Sequence, residues 1–468
     1  MVAERLSHVE GVDGADGDRW GSFKQIGWCS MSGSTDSKME VACQKLTWHH
    51  LGFVVACCSF EFVCVGAWFN SAGIFYNGVA KEFGVGLGQV GLYLTVTLFT
   101  TMFVLPPGGR LLEHGSARLI YTVTNVLLLL AFIINACATN IYMMYFAGVL
   151  AGAMGAFDMY LVPVMIARWF KKRTGLVVGI AIGLSGLGPA LWNIAIAGVI
   201  ESAGWRMGYA TLAIIVAAIV VPLAVGFVRS YPEEVGLKPY GAPLEAAGEP
   251  EEKVRQIKVT GADYAKVIKS PAFYLMIVMA MVAGVCVMMS QYLTSFAISI
   301  GYAAMVGAIM TSSASLGNMS GKLVFSAIAD KSINLAVLGP IVFPIVSFIG
   351  LILIGSSSVI GIVIMAFLFG TIQPNNTAIL PLVTQKLFGE KDYARIWGTI
   401  SAFSSFACGV GSSVWGFVYD ATGTFYGVFF IAIALLLVRL VCYVIALPLS
   451  KKVPHTEEIR EIGPVKDA

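Results

Sequence analysis

Apolar residues in this chain come in long runs rather than at the spacing of a half-buried strand or surface helix. Each run approaches the roughly 20 residues that a helix needs to cross a hydrocarbon core about 30 Å thick. Short clusters of Gly, Pro, Asn and charge separate them. The runs predict helices over 49–79, 86–108, 118–138, 141–168, 174–200 and 205–229, then 271–298, 302–329, 333–355, 358–386, 394–418 and 422–448. Polar segments divide the chain into a tail over 1–47, a bundle over 48–229, a Pro- and charge-rich linker over 230–270, a second bundle over 271–448 and a tail over 449–468. The expected fold class is an all-α membrane protein, with twelve transmembrane helices in two pseudo-symmetric six-helix bundles.

Composition narrows the picture. Charged residues make up 12% of the chain and apolar ones 57%, with a mean hydropathy of +0.80. A soluble domain carries about 25% charge, so this composition excludes a cytosolic enzyme and a disordered chain. The net charge of +3 provides no surface for nucleic acid. Lys and Arg gather in the tails and in alternate loops, from Lys45 and Arg110 through Arg168–Arg173 to Lys386, Lys391 and Lys452. Lys81 and Arg206 stand in the opposite loops. By the positive-inside rule, both termini of a multi-pass cell-membrane protein are cytoplasmic. Short outward loops without exposed N-x-S/T sites fit a bacterial inner membrane.

The halves echo one another. Gly198-x-x-Glu201-x-x-Gly204 has a counterpart in Gly416-x-x-x-Asp420-x-x-Gly423, and Glu113 has one in Asp330. Duplicated six-helix halves point to a transporter with its path at the repeat interface.

These residues resemble the major facilitator superfamily from about 48 to 448. Gly109-Arg-Leu-Leu-Glu113-His114-Gly115-Ser-Ala-Arg118 is similar to its gating motif, with Glu in place of Asp and one residue fewer. Asp330-Lys331 echoes it in the second half. The resemblance implies gating roles for Glu113, Arg118, Asp330 and Lys331. Three further stretches resemble the oxalate/formate antiporter and monocarboxylate transporter branch: Arg168-Trp169-Phe170-Lys171-Lys172-Arg173-x-Gly175, Gly204-Trp205-Arg206, and Tyr231-Pro232-Glu233-Glu234-x-Gly236-Leu237.

Ionisable groups at membrane depth are functional candidates, because burying a charge there is costly. Lys322 lies nine residues before Lys331, about 13 Å along the helix. The branch resemblance implies that a basic residue here holds a substrate carboxylate. The structural alternative is a salt bridge to Asp158 or Glu61. Those two acids are candidates for proton coupling, since burial and a neighbouring cation shift a carboxyl's pKa in opposite directions. Asn318, Gln373 and Asn376 offer amides to a substrate. Phe69 and Tyr76, seven apart, share a helical face and offer aromatic contact, unless that stripe is simply packing. The branch resemblance implies a second base in helix eleven for a dicarboxylate carrier; helix eleven has none here, which favours a monocarboxylate. Arg439 is expected to snorkel toward headgroups.

The expected function is therefore a secondary carrier of a small organic anion, coupled to protons or to a counter-anion, and acting as a monomer in the lipid bilayer. No nucleotide loop, metal-spaced His/Cys cluster or Ser–His pair marks an enzyme or a cofactor. A carrier exporting a hydrophobic compound is the alternative within transport. A membrane sensor without turnover is the alternative from another class.

Overall fold

The computed structural model describes residues 28–29, 41–42, 44–114, 116–242, 255–450 and 453–462. The amino-terminal half contributes α1 (Trp48–Asn70), α2 (Leu87–His114), α3 (Ala117–Ala136), α4 (Ile141–Trp169), α5 (Thr174–Ala203) and α6 (Trp205–Phe227). The second half contributes α7 (Pro271–Ser299), α8 (Ala304–Lys331), α9 (Ile333–Ile354), a broken α10 (Val359–Gly370 and Leu380–Phe388), α11 (Tyr393–Thr422) and α12 (Phe425–Ser450). Among the described residues, nine helices are long and apolar enough by themselves to cross a membrane. The other three are α8, α10 and α11. They carry the polar residues and breaks that a path-lining helix can tolerate and a lipid-facing one cannot.

Local chemistry sets the ends. Asn140 Oδ1 accepts from Met143 N at 3.0 Å, and Ser358 Oγ from Gly361 N at 3.2 Å, each an N-terminal cap. Gly423, at φ +69°, closes α11 with its N–H on Tyr419 O at 2.7 Å.

The bundles meet along three seams: α2 with α11, α5 with α8, and α1 with α7. A shift of six helices exchanges the first two seams and maps the third onto itself, the relation expected of duplicated halves. Part of the polar linker and of the second tail is ordered as a ribbon. Strand β1 (Arg255–Ala262) pairs antiparallel with β2 (His455–Ile462), Arg255 opposite Ile462. This ribbon is fastened to the α10–α11 turn. Lys391 Nζ lies 2.7 Å from Asp263 Oδ1, Glu390 N donates to Thr260 O at 2.9 Å, and Tyr264 N donates to Asp392 Oδ2 at 2.8 Å. Lys266 and Lys391 hold the Asp263 carboxyl down to about 2.

Two stretches read separately in the sequence form one unit here. The Arg168 guanidinium lies 4.8 Å from the centre of the Tyr231 ring, Tyr240 N donates to Trp169 O, and Trp169 stacks on Phe53 at 4.4 Å. Arg206 in turn ties the far end of the first bundle, through an ion pair with Glu82 and a bond to Ala138 O at 2.6 Å.

Candidate functional site

Helix α8 is pressed onto the break in α10. A side chain at Gly317 would collide with Phe367 O, one at Gly370 would collide with Ala314 O, and one at Gly321 would stand 2.9 Å from Pro374. Such close approach is what small residues four apart permit, and Gly317-x-x-x-Gly321 is the signal in the chain that could have found this seam. Pro374 cannot donate into the α10 ladder, so the helix opens into a turn and a π segment, Asn375–Ile379. Thr371 Oγ1 donates to Leu368 O at 2.7 Å, so threonine answers part of the broken backbone. Gln373 is thereby left for another partner: Asn318 Nδ2 donates to its Oε1 at 2.7 Å.

Asn318 is 4% exposed, and its own Oδ1 has no hydrogen-bond partner among the described residues. Lys322 follows one turn later on the same face and is half-buried. Met319, between them, meets α5: a Cβ added at Gly186 would lie 3.2 Å from the Met319 side chain. Lys322 and Asn318 therefore belong to the part of α8 beside the seam between the bundles.

Glu61 is 4% exposed and lies in the first turn of a π-helical stretch of α1, Phe60–Asn70, within electrostatic reach of Cys57, Cys58 and Tyr121. A π segment at a buried acid is a departure from regular helix of the sort that clusters at functional sites. Asp158 lies in α4, Asn376 in the α10 π segment, Glu113 in the last turn of α2 and Asp330 at the end of α8; their side chains lie outside the described residues. Lys331 is exposed as the last residue of α8. Arg118 donates to Val225 O on α6 at 3.0 Å, a contact within one bundle.

The chain between Phe69 and Tyr76 is not a regular α-helix: the π segment ends at Asn70, and Ala72–Phe75 winds as a 3₁₀ turn. Tyr76 is 1% exposed and packs edge-on against Tyr292 of α7 at 5.4 Å. Phe69 contributes its carbonyl to Gln291 Nε2 at 3.0 Å. Arg439 departs from expectation. It is fully buried on the core face of α12 rather than extended toward headgroups, since Leu436 and Tyr443 on the same face are buried as well.

The two bundles close on each other at the end opposite the one where Lys and Arg gather. Asp420, at the end of α11, accepts from Leu87 N at 3.0 Å and from Gly88 N at 2.8 Å, placing a carboxylate on the amino terminus of α2. Below it Thr95 Oγ1 meets Ser412 Oγ at 2.9 Å, and Phe99 stacks on Phe406 at 5.6 Å. One turn nearer the basic end, Phe103 is 75% exposed. In the α1–α7 seam Gln291 Oε1 accepts from Gly73 N at 2.9 Å, and Asn77 Nδ2 donates to Ser295 Oγ at 2.9 Å. The sequence reading assigned none of these contacts; a lone Gln291 inside an apolar run was the available sign. The bundles are thus joined at the far end, while the Asn318–Gln373 pair and Lys322 stand on α8 and α10 toward the basic end.

Comparison with known proteins agrees with this architecture. The sequence pattern of the Major Facilitator Superfamily matches residues 57–387. YhjX of Escherichia coli (strain K12), named an uncharacterized MFS-type transporter, is 24% identical over 332 residues, spanning 68% of this chain and 74% of its own. Monocarboxylate transporter 12 of Mus musculus is 20% identical over 407 residues, 80% of this chain and 81% of its own. Among solved structures, the nucleoside transporter NupG aligns with a TM-score of 0.65 at 13% identity, over 85% of this chain and 99% of that one. A bacterial homolog of the human lysosomal transporter Spinster, inward-facing and unoccupied, aligns at 0.62 and 13% identity, over 87% and 98%. These structural likenesses concern the fold.

Proposed function

The chain belongs to the major facilitator superfamily, and from that premise we propose that it is a secondary carrier of a small monocarboxylate. It works by alternating access, coupled to protons or to a counter-anion. The observation that carries this reading is the half-buried Lys322, one turn from the buried Asn318–Gln373 pair and beside the α5–α8 seam. An ammonium in such surroundings attracts a carboxylate strongly and gives no comparable gain to a neutral solute. Asn318 Oδ1, without a partner, is an acceptor for a substrate hydroxyl or a bridging water. The likeness to monocarboxylate transporter 12 supports the same substrate class.

In this reading the basic end is cytoplasmic, and the far-end closure corresponds to an inward-facing state. Rocking of the bundles breaks the contacts of Asp420 and of Thr95 with Ser412 while a substrate sits at Lys322. Glu61 carries the coupled proton, with Asp158 as the second acid. Glu113, Arg118, Asp330 and Lys331 serve the closure of the basic end.

The test is uptake of labelled carboxylates into proteoliposomes, with and without a pH gradient. Saturable monocarboxylate uptake is expected, reduced to background by Lys322→Ala and partly retained by Lys322→Arg. Glu61→Gln removes the response to the gradient. Saturable uptake of neutral compounds alone, unchanged in Lys322→Ala, overturns the anion reading.

A further inference from the structure

A cavity of about 530 Å³ opens on the second bundle at its basic end, away from the seam between the bundles. Ile333, Asn334, Val383, Lys386, Tyr443 and Val444 line it, together with the last turns of α12. Its chemistry is split. The starting residues of α9 and the second limb of α10 provide an aliphatic wall. Polar groups collect at one side: Lys386 is exposed in the last turn of α10, and Tyr443 Oη donates to Asn334 Oδ1 at 2.8 Å. That bond leaves the amide N–H groups of Asn334 to donate elsewhere. The acid nearest in sequence to Lys386, Glu390, is engaged by Gln385 Nε2 at 3.0 Å.

Arg439 stands about one turn deeper than Tyr443 on the same face of α12, about 6 Å along the axis. It is fully buried, and its Nε, Nη1 and Nη2 have no hydrogen-bond partner among the described residues. A buried guanidinium without a partner is costly unless an anion stands near it. The protein thus presents one cation, Lys386, and an amide donor at an aliphatic slot, with a second, fully buried cation one turn deeper on α12.

We propose that this cavity seats an anionic phospholipid of the leaflet at the basic end, with its phosphate against Lys386 and the Asn334 amide and an acyl chain along Ile333, Val383 and Val444. The phosphate's charge also offsets that of Arg439 from one turn away. A zwitterionic lipid fits the same slot but brings its own cation to Lys386, so selectivity for net negative headgroups follows. Basic pockets between helices at a membrane surface recognise anionic headgroups on these grounds.

The test is native mass spectrometry of the purified full chain, titrated with phosphatidylglycerol and with phosphatidylcholine of the same acyl chains. The expected result is phosphatidylglycerol retained in preference. Lys386→Gln should weaken that retention about fivefold, the value of one cation near an anionic headgroup. Lys81→Gln, at the opposite end, should leave it unchanged. Val444→Trp, which fills the slot, should expel both lipids. Glycerol 3-phosphate, which has the headgroup phosphate without acyl chains, should fail to displace the lipid at equal concentration. Equal retention of the two lipids, or full retention by Lys386→Gln or by Val444→Trp, overturns the proposal. Displacement by glycerol 3-phosphate also overturns it and makes the cavity a small-anion site.

Discussion

Glycines that look alike in the chain take opposite roles in the fold. Gly148 and Gly152 let α4 approach α2, since a Cβ at either would meet the Tyr93 or Thr97 backbone. Gly179 and Gly183 have the same spacing, yet nothing stands within 4 Å of a Cβ at either, so no neighbour approaches closely there. The tight contact in α5 is at Gly188, where a Cβ would collide with Phe62 O. Gly188→Ala should therefore destabilise the protein by about 1–3 kcal/mol, as overpacking does. Gly179→Ala should be neutral or slightly stabilising, because alanine favours helix. Thermal unfolding of the two variants in detergent decides between these roles. Lys322, Glu61 and Asp158 were legible as candidates because ionisable residues are rare inside apolar runs. That Asn318 and Gln373 bond to each other was not, because the bond joins residues 55 positions apart.

At the scale of helices, breaks govern the geometry. The α10 kink was readable from Pro374, whereas the π segment of α1 and the 3₁₀ turn that follows it had no comparable mark. The far-end lock depends on Asp420 capping α2, a carboxylate at a positive helix terminus worth about 0.3–2 kcal/mol. Asp420→Asn should keep part of the hydrogen bonding and lose the charge, loosening this end. A cysteine at Ser413, buried in the same seam, should then react severalfold faster with a membrane-impermeant maleimide. An unchanged rate removes the lock from the gating account. Lys386 illustrates the same limit of the sequence: in the chain it is one more cation of the basic end, and only helix packing puts it at a cavity mouth.

At the scale of the molecule, transport requires the α2–α11 seam to open. Thr95→Cys with Ser412→Cys replaces hydroxyls 2.9 Å apart with a pair placed for a disulfide. Oxidation should reduce uptake to background and a reductant should restore it; uptake that persists in the cross-linked protein means this seam does not move. The β1–β2 ribbon is tied to the α10–α11 turn through Asp263, whose carboxyl is held far below its ordinary range by Lys266 and Lys391. A depressed carboxyl stabilises the fold above its ordinary pKa near 4, and that contribution is lost as pH falls toward 2. Hydrogen exchange at residues 260–264 should therefore be constant between pH 5 and 8, apart from intrinsic chemistry, and rise near pH 2–3. Asp263→Asn should raise it between pH 5 and 8 and bring little further change near pH 2. Any pH dependence of uptake between 5 and 8 then arises elsewhere, with Glu61 the proposed origin.

Length of the apolar runs, placement of basic residues and the repeated acid–glycine pattern were enough to determine a membrane-embedded, duplicated helical chain with its helices in this order. Those properties depend on local composition and on the dimensions of a bilayer, which every segment meets independently. Which residues touch across the bundles was decided only by the tertiary structure. The Asp420 cap, the Gln291 bridge, the Asn318–Gln373 pair and the burial of Arg439 each join side chains from distant segments. Their partners depend on helix rotation and on breaks of a few residues, and a rotation by one position leaves hydropathy unchanged while exchanging every contact.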